Sequence, residues 1–146
     1  MPRSIGCPRL DSHAGSVRLA DRSREVTELQ SALDNAVLGE LRESVGDDPG
    51  FLAELVGDFL ADAPTQLAAL RATAASADAV GARRAAHTLK GTSRTFGAGR
   101  LASLCQEAEA AAGSGDLVAV LAGIDGIDQE WGRVRAELVA LRDGLA

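Results

Sequence analysis

The segment AAHTLKGTSRTFGAG, residues 85–99, places one histidine inside a helical pattern, and His87 is the strongest candidate for chemistry in the chain. A histidine can act as a general base, a metal ligand or a nucleophile. The sequence contains only one other histidine, His13, which lies in a polar N-terminal stretch. The role of His87 depends on the face of the helix that carries it and on the side chains beside it.

Helical phase predicts that His87 points into solvent. The apolar face of its helix is marked by residues at spacings of three and four: Ala82, Ala86, Leu89, Ser93 and Phe96. At about 100° per residue, His87 lies roughly 160° from Leu89. We therefore expect His87 on the outer face of the third main helix, opposite the core.

The residues three and four positions from His87 share its face of the helix. They are Arg83 and Arg84 before it, and Lys90 and Gly91 after it. Lys90 places a cation where it could meet a phosphoryl group on the imidazole ring. A glycine inside a helix costs about 1 kcal/mol relative to alanine. Gly91 is therefore predicted to remove a side chain that would crowd the imidazole.

A basic block surrounds the histidine in a chain whose net charge is −6. Between Gly81 and Arg100 the sequence has five basic residues and no acidic one. This local reversal of sign predicts docking to an acidic partner surface, and the overall charge disfavours nucleic acid as a partner. The predicted partner-binding residues are Arg83, Arg84, Ser93 and Arg94.

Three chemistries for His87 are weighed from the residues alone. A general base needs an orienting carboxylate and a pocket, and we expect neither on a basic bundle face. Metal binding is disfavoured because no second histidine or Glu-x-x-His pattern lies nearby. Nucleophilic uptake of a phosphoryl group fits best, because it needs an accessible ring nitrogen and nearby cations. Spacing alone also leaves open a surface histidine without a function.

The chain divides into a predicted flexible tail, residues 1–30, and a helical domain, residues 31–146. Helical periodicity is nearly continuous after residue 30, with Ser31 or Asp34 and then Ser76 or Asp78 as candidate caps. Pro64 is expected to kink the second helix without splitting it. Short connections imply antiparallel neighbours, so the predicted fold is all-α: an up-down four-helix bundle with a short extra N-terminal helix.

Composition supports a helical protein of the cytoplasm. The hydrophobic fraction is 46%, only 3% is aromatic, and there is no tyrosine. Two cysteines are too few for a disulfide framework, and the N-terminus lacks the apolar stretch of a signal peptide. No segment is apolar enough to predict a membrane span. We expect a soluble monomer, with Cys105 and Trp131 in its core.

The segment AHTLKGTSRTFGA resembles the signature of histidine-containing phosphotransfer (HPt) domains, in which His-x-x-Lys-Gly precedes small residues, an apolar residue and glycine. The matching positions are His87, Lys90, Gly91, Ser93, Phe96, Gly97 and Ala98. The flanking segments DPGFLAELVGDFLADAPTQLAALRA and LASLCQEAEAAA are similar to the neighbouring helices of that family. The resemblance covers about residues 34–143.

The resemblance implies a phosphorelay intermediate without kinase activity of its own. His87 would accept phosphate from the aspartate of one response-regulator receiver domain, which could belong to a hybrid histidine kinase, and donate it to another receiver. Lys90 would assist the phosphoryl group and Gly91 would give access. The chain would need no cofactor, because catalytic Mg²⁺ would belong to the receiver's acidic site.

Two alternatives stay open from the sequence. The chain could be the substrate domain of a chemotaxis-type histidine kinase, phosphorylated by a kinase domain instead of a receiver. It could also be an interaction module that binds a receiver regardless of phosphate.

Overall fold

The structure is a computed structural model that describes residues 31–145. Within these residues the chain forms five α-helices and no strand. The helices are α1 (Asn35–Ser44), α2 (Pro49–Ala75), α3 (Ala79–Thr95), α4 (Gly99–Gly113) and α5 (Leu117–Leu145). The flexible tail predicted for residues 1–30 lies outside the described residues and stays a prediction.

Aspartate side chains fix the starts of four of the five helices. Each carboxylate accepts a hydrogen bond from a backbone N–H in the first turn, at 2.9–3.2 Å. The capping residues are Asp34, Asp48, Asp78 and Asp116. Such caps satisfy N–H groups that have no partner inside the helix. Of the two pairs of candidates, Asp34 and Asp78 cap their helices, not Ser31 and Ser76.

Short turns arrange α2 to α5 as an antiparallel bundle. The three turns that join them, residues 76–78, 96–98 and 114–116, have three residues each. Helix α2 packs against α3 and α5, and α4 packs against the same two helices. The predicted up-down four-helix bundle is confirmed, with α1 as the short extra helix beside α3. Helix α2 runs through Pro64 without being split.

The core is built from apolar side chains of all four long helices. Phe59 stacks on Phe96 at 5.0 Å between ring centroids and meets Trp131 at 5.2 Å. Cys105 is fully buried, and burial raises the pKa of its thiol to about 12. The predictions that Trp131 and Cys105 are core residues are confirmed.

No helix in the described range is long and apolar enough to cross a membrane.

The residues just before α1 are hydrogen-bonded to α5 and to the turn between α3 and α4. Ala32 and Leu33 are buried, and their backbone N–H groups donate to Glu137 of α5 at 2.5 and 3.2 Å. The next N–H, of Asp34, donates to the carbonyl of Gly97 at 2.9 Å. The turn between α3 and α4 therefore holds the start of α1 in place.

Candidate functional site

His87 lies in the middle of α3 and projects outward. Its side chain is 67% exposed, whereas Ala82, Ala86 and Leu89 of the same helix are buried. The predicted orientation of His87 is confirmed. The exposed ring is therefore available to a partner without any opening of the bundle.

A carboxylate from α4 holds one ring nitrogen of His87. Oε2 of Glu109 lies 2.7 Å from Nδ1 of His87, and Oε1 of Glu109 contacts Nζ of Lys90. Lys90 also donates to Oε1 of Gln106 at 3.0 Å. Only 12% of the Glu109 side chain is exposed. Two residues of α3 and two of α4 thus form one hydrogen-bonded cluster.

The protonation state of Glu109 fixes the roles of the two ring nitrogens. The hydrogen bond from Lys90 lowers the pKa of Glu109 below its ordinary value of 4.5; the hydrogen bond from His87 acts in the same direction, and burial opposes both. At neutral pH Glu109 is therefore ionised and can only accept hydrogen bonds. The proton of the contact consequently belongs to Nδ1 of His87. Nε2 makes no hydrogen bond to any residue from 31 to 145, and in the neutral ring it carries the lone pair.

The histidine lies in an open groove between α3 and α4. The groove is lined by Ala79, Val80, Arg83, Arg84, His87, Lys90, Gln106, Glu109, Ala110, Ala112 and Gly113. The expectation that a bundle face offers neither a concavity nor an orienting carboxylate is therefore wrong. It considered α3 alone, whereas α4 supplies the second wall and the acidic residue.

The basic residues around His87 divide into paired and unpaired ones. Lys90 is paired with Glu109, and only 12% of its side chain is exposed. Arg83 and Arg84 are exposed, and neither forms an ion pair with a residue in the described part of the chain. In the chain without a phosphoryl group Lys90 is therefore paired, and its predicted role in assisting a phosphoryl group on His87 stays a prediction.

A Cβ atom added at Gly91 would not crowd the imidazole within this chain. A Cβ atom built at Gly91 would meet nothing within 4 Å, the His87 ring included. A methyl group at Gly91 would therefore leave the ring uncrowded in the free chain, and the access role of Gly91 stays a prediction. The space beside Gly91 is open to solvent, so any clearance serves a partner that approaches α3.

Ser93 does not belong to the outer surface. Its side chain is fully buried, and its hydroxyl donates to the carbonyl of Leu89 at 2.6 Å. The prediction of a partner-binding role for Ser93 is contradicted, because a buried hydroxyl that already has an acceptor cannot reach a partner. Arg94 is exposed as expected. Arg100 of the basic block lies 3.6 Å from buried Glu130.

Sequence reasoning missed Glu109 and Gln106, although helical phase carries a signal for both. Glu109 lies four residues after buried Cys105, so it borders the apolar stripe of α4. Gln106, three residues before Glu109, shares that flank. An acidic side chain that borders a buried face needs a hydrogen-bond or ion-pair partner, so its position predicts such a partner on the neighbouring helix. The identity of that partner depends on how far α4 is shifted along α3, which periodicity does not give.

The residues described here do not include a cluster of three or more metal-ligating side chains. His87 has one carboxylate beside it, and the remaining neighbours are cations, an amide and small residues. A lone histidine and carboxylate among cations make a poor site for a metal ion.

Comparison with known proteins agrees with this geometry. A family model described as the Hpt domain matches residues 54–144, well over half of the chain. The crystal structure of histidine-containing phosphotransfer protein B (HptB) from Pseudomonas aeruginosa PAO1 shares 34% sequence identity with this chain, at a TM-score of 0.69. The match covers 76% of this chain and 94% of HptB. A search of curated proteins found no match. The chain belongs to the Hpt family, whose members carry out histidine phosphotransfer in phosphorelays.

Proposed function

We propose that this chain takes a phosphoryl group onto Nε2 of His87 from the phosphoaspartate of one receiver domain and passes it to the aspartate of another. The observation that carries the proposal is the state of the His87 ring. Its Nδ1 is held by ionised Glu109, and its Nε2 has no partner within residues 31–145. A nucleophile for group transfer needs such an oriented and accessible lone pair.

The proposed transfer step needs no external base. The lone pair on Nε2 attacks phosphorus, an N–P bond forms, and the P–O bond to the aspartate breaks. The aspartate leaves as a carboxylate and keeps the electron pair of that bond. Nδ1 of His87 retains its proton, so the ring of the product carries positive charge. Glu109 stabilises that charge through the hydrogen bond at Nδ1.

The partner supplies what this chain lacks. A receiver aspartate lies in an acidic site, and the exposed cations Arg83, Arg84 and Arg94 complement such a site in charge. We expect Mg²⁺ to come with the receiver, and this chain to hold no cofactor and no ATP-dependent activity of its own. We also expect it to act as a monomer in the cytoplasm.

Transfer of radioactive phosphate from a panel of receiver domains tests the proposal. Each receiver is first loaded with ³²P by its own kinase and then mixed with the wild-type chain or with His87→Gln. The wild type is expected to acquire an acid-labile label, and the variant to acquire none while still binding the receiver. Thr88→Ala, an exposed neighbour on the same helix, is the matched control and should label like the wild type.

Other outcomes of that assay would overturn the proposal. Label that arrives from ATP through a kinase domain, and from no receiver, would identify a substrate domain of a kinase. Receiver binding without any label in the wild type would identify an interaction module. A label that persists in His87→Gln would place the phosphate on another residue.

A further inference from the structure

We propose that Arg83 and Arg84, not Lys90, provide the positive charge that meets the phosphoryl group on His87, and that Lys90 is a positioning residue acting through Glu109. The inference rests on the proposed function and specifies how its central residue is assisted. It follows from how the cations around the ring are paired.

In the unphosphorylated chain, Lys90 already has two partners on α4. Its ammonium contacts Oε1 of Glu109 and donates to Gln106 at 3.0 Å, with little exposed surface. To reach a group on Nε2 of His87, Lys90 would have to leave a largely buried carboxylate without its main partner. Breaking one side of such a pair is unfavourable because the remaining charge stays poorly solvated.

The retained contact gives Lys90 a different role. With Lys90 in place, Glu109 is ionised and its second oxygen faces Nδ1 of His87. The ammonium and the carboxylate cancel in charge, so the pair contributes little net attraction for a phosphoryl dianion. Lys90 therefore holds Glu109 in place, and Glu109 in turn orients the ring of His87.

Arg83 and Arg84 lie in the helical turn toward which the His87 ring extends. Side chains on a helix lean toward its N-terminus, so the His87 ring extends over the turn that contains residues 83 and 84. Both arginines are exposed, line the same groove and have no acidic partner in the described range. A guanidinium matches phosphoryl oxygens in geometry and charge.

The opposite wall of the groove leaves room for these side chains to move. It carries the small residues Ala110, Ala112 and Gly113 of α4. The Cδ and Nε atoms of Arg83 lie 3.8 and 3.9 Å from where a Cβ of Gly113 would be. Arg83 therefore lies along this wall without a bond that would have to break before it turns to a phosphoryl group.

Chemical phosphorylation tests this inference without a receiver. The full chain is phosphorylated with phosphoramidate, and two quantities are followed: the initial labelling rate and the ³¹P shift of the phosphohistidine as a function of pH. The variants are Arg83→Gln, Arg84→Gln, their double variant and Lys90→Gln. Arg42→Gln, an exposed arginine on α1 that does not line the groove, is the matched control.

The double arginine variant is expected to label more slowly and to bind the second phosphoryl proton at higher pH. An exposed charge pair is worth about 0.2–1 kcal/mol, which corresponds to roughly a 1.4- to fivefold rate effect per arginine. Arg42→Gln should match the wild type. Lys90→Gln should leave the pH dependence of the ³¹P shift unchanged and instead alter the ¹⁵N signals of the His87 ring. Lys90→Arg should restore those signals.

Three results would overturn the inference. One is a ³¹P titration that responds to Lys90→Gln at least as strongly as to the double arginine variant. Another is a double variant that behaves like Arg42→Gln. The third is a His87 that phosphoramidate does not label at all. The phosphoramidate assay contains no receiver. If phosphate transfer from receivers fails in the separate assay, the relay proposal is refuted, but the assignment of the charge to Arg83 and Arg84 is still tested by phosphoramidate.

Discussion

The ring of His87 is held by a residue on a different helix. Glu109 orients the ring through Nδ1 and is itself held by Lys90, so three side chains from α3 and α4 act together. Removing the acceptor charge should therefore affect the proposed reaction, although Glu109 contacts Nδ1 and not Nε2, the nitrogen proposed to take the phosphoryl group.

Glu109→Gln should slow phosphorylation of His87 by roughly 10- to 100-fold. A hydrogen bond to a charged group contributes about 1.5–3 kcal/mol, and the positive ring of the product would lose that stabilisation. The measurement is the single-turnover rate with phosphoramidate. Glu107→Gln, an exposed neighbour that makes no hydrogen bond in the described range, is the control and should keep the wild-type rate. Equal rates for both variants would contradict the orienting role of Glu109.

Acid should weaken the fold through the same carboxylate. The folded pKa of Glu109 lies below its ordinary value of 4.5, so ionised Glu109 favours the native state above that pH. This contribution is lost as the pH falls through the folded pKa. The free energy of unfolding, measured from pH 6 to pH 3, should fall less steeply in Glu109→Gln than in the wild type. Glu107→Gln should follow the wild-type curve, and parallel curves for all three proteins would refute the assignment.

At the scale of the helices, α3 carries the exposed His87 and α4 carries the carboxylate that holds its ring. Phase along α3 was sufficient to predict from the sequence that His87 is exposed and that Leu89 is buried. The pairing of Lys90 with Glu109 was not predictable in this way, because it depends on the axial shift of α4 against α3. That shift is set by packing of the whole bundle.

Gly91→Ala should show whether the missing side chain matters for the stability of the fold or for the approach of a receiver. No atom lies within 4 Å of the added Cβ, and alanine favours a helix over glycine by about 1 kcal/mol, so the variant should be more stable. Phosphoramidate should label it normally, whereas phosphotransfer from a receiver should slow at least severalfold. Gly123→Ala, an exposed and equally open position in α5, should gain stability with unchanged transfer. Normal receiver transfer in Gly91→Ala would show that the missing side chain serves no partner.

Gly97→Ala should disrupt the junction between the α3–α4 turn and the start of α1. Gly97 has φ +75°, and an added Cβ would lie 3.0 Å from backbone N and O of Asp34. Gly115 has φ +78° with nothing within 4 Å, so Gly115→Ala measures the backbone strain alone. We expect losses of about 1 kcal/mol for Gly115→Ala and about 2–3 kcal/mol for Gly97→Ala in chemical denaturation. Equal losses would mean that Asp34 moves away without penalty.

At the scale of the whole molecule, an acidic chain presents a basic surface on α3. The net charge is −6, yet the outer face of α3 carries Arg83, Arg84 and Arg94 without ion-pair partners in the described residues. The sequence was sufficient to predict this reversal of sign and the four-helix bundle beneath it. The groove was not predictable, because it exists only once α4 lies beside α3.

Association with an acidic receiver should weaken as salt is added. Screening shortens the reach of exposed charges from about 10 Å at 0.1 M to about 3 Å at 1 M ionic strength. The association rate constant is expected to fall with salt, and Arg94→Gln should reduce both the rate and its salt dependence. Arg42→Gln, an exposed arginine on α1, is the control and should leave both unchanged. A salt-independent rate would show that the basic surface does not steer the encounter.

The most direct test of phosphotransfer to His87 is to locate the phosphate on the chain. The ¹⁵N-labelled chain is mixed with a phosphorylated receiver, and the ³¹P and ¹⁵N spectra of the product identify the bonded atom. We expect one phosphoryl group per chain, on Nε2 of His87, with the proton still on Nδ1. A phosphoryl group on Nδ1, on another residue, or on no residue after exposure to receivers that bind the chain would contradict this expectation.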